Sequence, residues 1–229
     1  MKDNIEVKFW TTVEGLSAIE ECCPQPANRF IPGWFKDAPS LDGNSLPTVK
    51  KCPAFSDVFS QGYIIPMWSD VRLYADGDNW RWETPSKDFL WEAHSNDLFL
   101  EYTPSWVKDE ISIVFKPNSP WRVKTPTGYS MRIMPLFYHF NRNYTALPGD
   151  IRTDIYHILN PAIMFHTKEK EVIIERGTPF VWVVPYKRED YTYSITEQTE
   201  ELRKIESFSN RHINTKFMGG YISARKIVE

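Results

Sequence analysis

From Tyr63 onward the chain alternates apolar and polar residues in short runs that are separated by turn signals. YIIPMW, DVRLYA and WRWET come first, and the last two are joined across Asp76-Gly77, the strongest hairpin signal in the sequence. Further strand-like runs are Asp97 to Tyr102, Ile111 to Phe115, Trp121 to Thr125, Tyr129 to Met134 and Phe137 to Asn141, followed by Ile151 to Leu159, Glu171 to Ile174 and Pro179 to Tyr186. Such close spacing of period-two segments with few helical patterns predicts a mainly β, antiparallel jelly-roll or cupin-like sandwich or barrel with a few short helices.

Before this series, Ile5 to Trp10 also alternates, and Val13 to Glu21 reads as a short helix. The proline-broken stretch that follows is anchored by Phe30, Ile31, Trp34 and Phe35, as in an ordered arm with one helical turn. In CPAFSDVFS, Phe55, Val58 and Phe59 fall at helical spacing behind an N-terminal proline, and Gly62 ends the pattern. The other helix spans Thr196 to Phe208, with acids early and bases late to match the helix dipole, and the segment after Asn210 reads as a tail. The expected organisation is one domain over 1–229: a wrapping arm (1–51), a β core (52–190) and a C-terminal helix and tail (191–229).

Composition narrows this picture. With 41% apolar and 25% charged residues the chain is globular, and its 15% aromatic content suits wide rings packed between sheets or lining a cleft. A net charge of −3 argues against general nucleic-acid binding. No segment has the length of a membrane span, and the N-terminus lacks the apolar core of a signal peptide, so a cytoplasmic protein is expected. Cys22, Cys23 and Cys52 lack C-x-x-C spacing and read as reduced thiols. Cys52 precedes a helix start, which favours a thiolate, but without an obvious histidine partner a structural role is the simpler reading.

The order of the CPAF helix, GYIIPMWSDV, SPWRVKTPTGYS, LPGDIRTDIY and ERGTPFVWVVPYKRE, from about Phe9 to Arg188, resembles a family of proteins found in tailed phages, notably cyanophages, and in some bacteria. That resemblance implies a viral or virus-derived origin, with a host-cell setting during infection, and a shared β fold; it assigns no catalytic residue. The late section is also loosely similar to the second half of cupins, a likeness of fold alone.

Cupin-type iron or manganese sites use a histidine and a carboxylate two residues apart on one strand face. No H-x-H, H-x-D or H-x-E occurs, so no cofactor is predicted; Fe or Mn on His139, His157 or His166 is the alternative. Phosphate-loop and nucleophile-elbow motifs do not occur either. Asp150 and Asp154 could act as an acid-base pair, against which stands a salt-bridged strand edge.

The strongest candidate surface is KPNSPWRVKTPTGY, Lys116 to Tyr129, an aromatic and basic strand held between proline turns. Trp121, Tyr129 and Trp182 offer flat apolar faces, and Arg122, Lys124, Arg132 and Arg152 offer cationic donors, with Asp154 beside them. Together they suit a planar or anionic small ligand, or a host protein, bound without chemistry on a phage-type accessory protein. Core tryptophans with solvated bases are the competing explanation. A cupin-like metal-dependent oxygenase or isomerase, and a virion or assembly component, are the other functions this pattern allows, and homo-oligomers are compatible with all three. Alternation predicts that Trp121 and Val123 share one face of their strand while Arg122 and Lys124 share the other.

Overall fold

The structure, a computed structural model, describes residues 5–76, 79–87, 90–94, 99–166 and 171–216. The chain is mainly β, with antiparallel sheets and few short helices. It divides into two compact units, Met1–Phe30 with Gly62–Arg188, and Ile31–Gln61 with Glu189–Glu229.

The first unit holds the strands β1 (Lys8–Thr11), β2 (Gln25–Pro26), β3 (Tyr63–Pro66), β4 (Val71–Asp76), β5 (Asn79–Glu83), β6 (Leu90–His94) and β7 (Ile111–Asn118). These are followed by β8 (Trp121–Lys124), β9 (Tyr129–Met134), β10 (Tyr144–Ala146), β11 (Gly149–Ile151), β12 (Ile163–His166), β13 (Glu171–Ile174) and β14 (Pro179–Lys187). Four antiparallel sheets result, ordered β1-β8, β10-β12-β7-β6, β11-β9-β14-β3-β2 and β13-β4-β5. Their inner faces converge on one core: Phe115 and Phe165 from the second sheet, Met131 and Val183 from the third, Leu73 and Val172 from the fourth, and Trp121 and Val123 from the first. The β4–β5 register runs to Asp76↔Asn79, which brackets the Asp-Gly signal; residues 77 and 78 themselves lie outside the described residues.

Gly62 marks where the chain enters β3. Its φ of 66° is left-handed, and a Cβ there would collide with the Val183 carbonyl oxygen and come within 2.9 Å of Val184 Cα. Only glycine lets β14 approach this closely.

In the second unit are α1 (Gly33–Asp37) and α2 (Pro53–Phe59). Phe35 is buried there against Phe59 (ring centroids 5.0 Å) and Phe55 (5.9 Å). Lys50 Nζ donates to the Phe35 carbonyl at 2.9 Å and sits 5.4 Å from the Phe35 ring, which ties the proline-rich stretch down. A further helix of this unit, α4 (Glu200–Lys216), starts where the Thr199 hydroxyl accepts from Leu202 N. It therefore begins four residues later than its charge pattern predicts and continues past Asn210; the rest of the expected tail lies outside the described residues.

Three predicted strands are not strands. Leu100–Tyr102 forms a 3-10 turn because Pro104 opens α3 (Ser105–Glu110), which the sequence reading missed, and Leu100 is buried with Ile111 and Val114; residues 97 and 98 lie outside the described residues. Phe137–His139 is also a 3-10 turn. Pro135 precedes it, Phe140 takes a left-handed φ of 50°, and Asn141 Oδ1 caps Asn143 N at 2.8 Å. Beyond β11 the expected strand turns instead: Arg152 O accepts from Ile155 N (3.0 Å) and Tyr156 N (2.8 Å). Val13 to Glu21 resolves into two 3-10 turns, Leu16–Ala18 and Glu20–Cys22. Conversely, β2, β6, β10 and β12 went unpredicted, and β11 was anticipated only at Ile151.

Among the described residues, no helix is long and apolar enough to cross a membrane.

Candidate functional site

Pro120 and Pro126 bracket β8, so its short extended segment is held without a long sheet around it. On one side it pairs with β1 in the register Lys8↔Lys124, Phe9↔Val123, Trp10↔Arg122 and Thr11↔Trp121. On its other flank, Val123 N donates to His157 O at 2.9 Å and Arg122 bridges Ile158. The alternation falls as predicted: Trp121 and Val123 are buried, Arg122 is half-buried and Lys124 is exposed. Trp121 is 3% exposed, and its Nε1 donates to the Cys22 carbonyl at 3.0 Å, so its ring belongs to the core and presents no face to a ligand. Trp182, 2% exposed, is likewise interior.

Cross-strand pairing brings two residues to the outward face that β8 alone does not reveal. Lys8 and Trp10 stand opposite Lys124 and Arg122, and Trp10 keeps 39% of its surface open. The Trp10 ring meets His157 edge-on, with centroids 5.5 Å apart. His157 Nδ1 lies 3.0 Å from Thr153 O and 3.2 Å from Val123 O. Both partners are acceptors, which puts the proton on Nδ1 and leaves Nε2 as the open nitrogen. Arg122 Nη1 donates to the Ser119 and Trp121 carbonyls, fixing the guanidinium against its own strand. Lys8 has a distant ion pair with Glu6 (4.0 Å), and Lys124 has no side-chain partner among the described residues. The face thus combines three cations, one indole and one imidazole.

The remaining predicted residues form two ion-paired clusters. Arg132 on β9 grips Asp150 on β11 through two bonds of 2.9 and 3.1 Å and lies 4.7 Å over the Tyr186 ring, whose hydroxyl donates to the same carboxylate at 2.9 Å. Hydrogen bonding from Arg132 holds the Asp150 carboxyl below its ordinary pKa. Asp154 is paired with Arg188 and also accepts from Gly128 N at 2.9 Å. The Arg188 bonds, then the Gly128 amide, lower its carboxyl to about 2. Arg188 reaches further, to Tyr129 O (2.6 Å) and Ser130 Oγ (2.8 Å). Asp154 therefore acts as a staple that closes the Thr127-Gly128 turn. Each carboxylate has its own arginine, which is the salt-bridged edge rather than an acid-base pair. Tyr129 is half-buried beside the staple, and Arg152 is exposed with no side-chain partner among the described residues.

His166 Nε2 is 2.6 Å from Thr145 Oγ1 on the neighbouring strand, and burial lowers its pKa, as it does that of His139 in the Phe137–His139 turn. Among the described residues no three His, Cys, Asp or Glu side chains come together as a metal ion requires. All three cysteines are free; Cys22 is fully buried, and burial pushes its thiol pKa up.

No family model and no curated protein matches this chain. Among solved structures, a mutant dUTPase of Staphylococcus bacteriophage 80alpha with dUpNHpp aligns over 85% of this chain and 90% of its own, at 11% identity and a TM-score of 0.39. A mutant dUTPase from phage phi11 of S. aureus aligns over 85% of this chain and 99% of its own, at 9% identity and a TM-score of 0.38. Likeness at this level carries no assignment of family or activity.

Proposed function

We propose that this is a non-catalytic binding protein that holds a small anion with a planar body on the outward face of the β1–β8 ribbon. One observation carries the reading: Lys8 and Lys124 are directly opposed across the two strands, next to Arg122. Like charges in that position repel and weaken the pair. An anion between them replaces the repulsion with charge-assisted hydrogen bonds, and Trp10 beside it supplies a flat apolar surface for a ring. Because Arg122 is already fixed by two backbone carbonyls and β8 by its flanking prolines, little order has to be imposed on binding. The ligand classes that fit are nucleotides, sugar phosphates and dicarboxylates bearing or abutting a ring. Glu6, the acid beside the face, stands 4.0 Å from Lys8, and Asp150 and Asp154 are engaged by Arg132 and Arg188, so binding without a reaction is proposed. An accessory role in a phage rests on the order of sequence motifs alone.

Native mass spectrometry of freshly purified protein tests this. The expected result is an adduct of one mass, one per chain, carried by wild type and lost from Arg122→Ala. Unliganded protein that also fails to take up any of a panel of nucleoside monophosphates, sugar phosphates and dicarboxylates would overturn it.

A further inference from the structure

A cleft of about 520 Å³ opens beside β7 and β11, away from the residues of the ribbon face. Its volume is in the range of clefts that hold small ligands, about 300–1,000 Å³. The walls are apolar: Phe99, Val114, Leu147 and Ala162 line it and belong to one packed cluster. Only a few polar groups join them. Asp150 is at the rim, but Arg132 takes both of its oxygens and Tyr186 shares one. Lys116 and Asn160, both half-buried, have no side-chain hydrogen bond or ion pair among the described residues. The one ammonium group in the wall is thus unbonded by any side chain among the described residues, with Glu92 standing opposite Lys116 across the β6–β7 pair.

Gly149 keeps the space open. It pairs with Ile133, itself a lining residue, so a side chain at 149 would project on the same sheet face as Ile133. A Cβ built there meets nothing within 4 Å, and the backbone is not left-handed. Glycine is disfavoured in a strand on entropic grounds, and no steric or conformational requirement of the fold explains it at this position.

We propose that this cleft is a second binding site, for a small amphipathic acid. Its aromatic or short aliphatic body lies against Phe99, Val114 and Leu147, its carboxylate pairs with Lys116, and Asn160 supplies a polar contact. The site shares no residue with the ribbon face and stands or falls without it.

The test uses 2-naphthoate as probe and 2-naphthalenemethanol as its neutral counterpart, followed by isothermal titration calorimetry on the whole chain, with thermal melts of each variant. Wild type is expected to bind one naphthoate per chain and the alcohol roughly tenfold more weakly or worse, the scale of one lost charged hydrogen bond. Lys116→Gln should reduce naphthoate binding to the level of the alcohol without changing the melt. Gly149→Phe, which places a ring in open space, should abolish binding of both while still folding. Saturable binding that survives Gly149→Phe, equal affinity for acid and alcohol, or no wild-type binding in the millimolar range would each overturn the proposal. Should Gly149→Phe fail to fold, the comparison of acid with alcohol and the Lys116→Gln variant still decide it.

Discussion

Trp121→Ala separates the two faces of β8 most sharply. The indole is 3% exposed, is part of the main core cluster, and donates through Nε1 to the carbonyl of Cys22, a residue with no exposed surface. Removing a buried aromatic side chain of this size costs about 3–5 kcal/mol. An orphaned carbonyl adds about 1–3 kcal/mol if water cannot reach it, which places the loss toward the upper end. For a unit of this size each kcal/mol corresponds to about 2–4 °C, so the melting temperature should fall by roughly 6–20 °C. Arg122→Ala, one residue along on the other face, removes two part-buried bonds to the Ser119 and Trp121 carbonyls and should cost about 1–2 kcal/mol. Urea denaturation followed by circular dichroism gives both values, and ligand titration on the same samples gives binding. If Trp121→Ala unfolds with wild-type midpoint but no longer binds, the faces are assigned backwards and this tryptophan is the stacking platform.

Other expectations follow from single contacts. Gly62→Ala should destabilise by roughly 2–4 kcal/mol in urea, combining a left-handed backbone penalty with displacement of β14; a loss below about 1 kcal/mol would mean that β14 moves aside freely. The Asp154 carboxyl, lowered to about 2, contributes stability that is complete above the ordinary carboxylate pKa and is lost as pH falls toward 2. Asp154→Asn should therefore lower the urea midpoint at pH 6 and flatten its decline between pH 5 and pH 2; an unchanged acid limb contradicts the staple. Cys22, buried and with its thiol pKa raised, should resist Ellman's reagent at pH 8 in the native protein and react only on unfolding.

Much of the β unit is legible because its strands bury one side only. In Trp121–Lys124 and Glu171–Ile174 the burial alternates residue by residue, and the sequence alternates with it. Phe180 to Val183 is buried on both faces, so its strand reads as an apolar run instead. Phe137 to Asn141 shows the limit. Its aromatics imitate a strand, yet Phe137 and Phe140 are exposed, and a neighbouring proline and the Asn141 cap fix a turn. Local pattern cannot register a competing cap of that kind. The same is true of Asp154, whose partner Arg188 lies 34 residues away in sequence. Arg122 and Lys124 were found from their spacing, but Lys8 and Trp10 were not, because they reach the same face only through the pairing of β1 with β8. Lys8 and Trp10 alternate with Val7, Phe9 and Thr11 from the start of the chain, and a hint was available in that period; nothing in sequence distance links it to residue 122.

Lys8, Trp10, Arg122 and Lys124 share the outward face to which binding is assigned. Calorimetric titration of wild type and Arg122→Ala with adenosine 5′-monophosphate, which offers a ring and a dianion in one molecule, tests it directly. Saturable wild-type binding, weakened about tenfold or more in the variant as expected for a lost charged hydrogen bond, at a melting temperature close to wild type, is the predicted result. Equal affinity in the two proteins would contradict it.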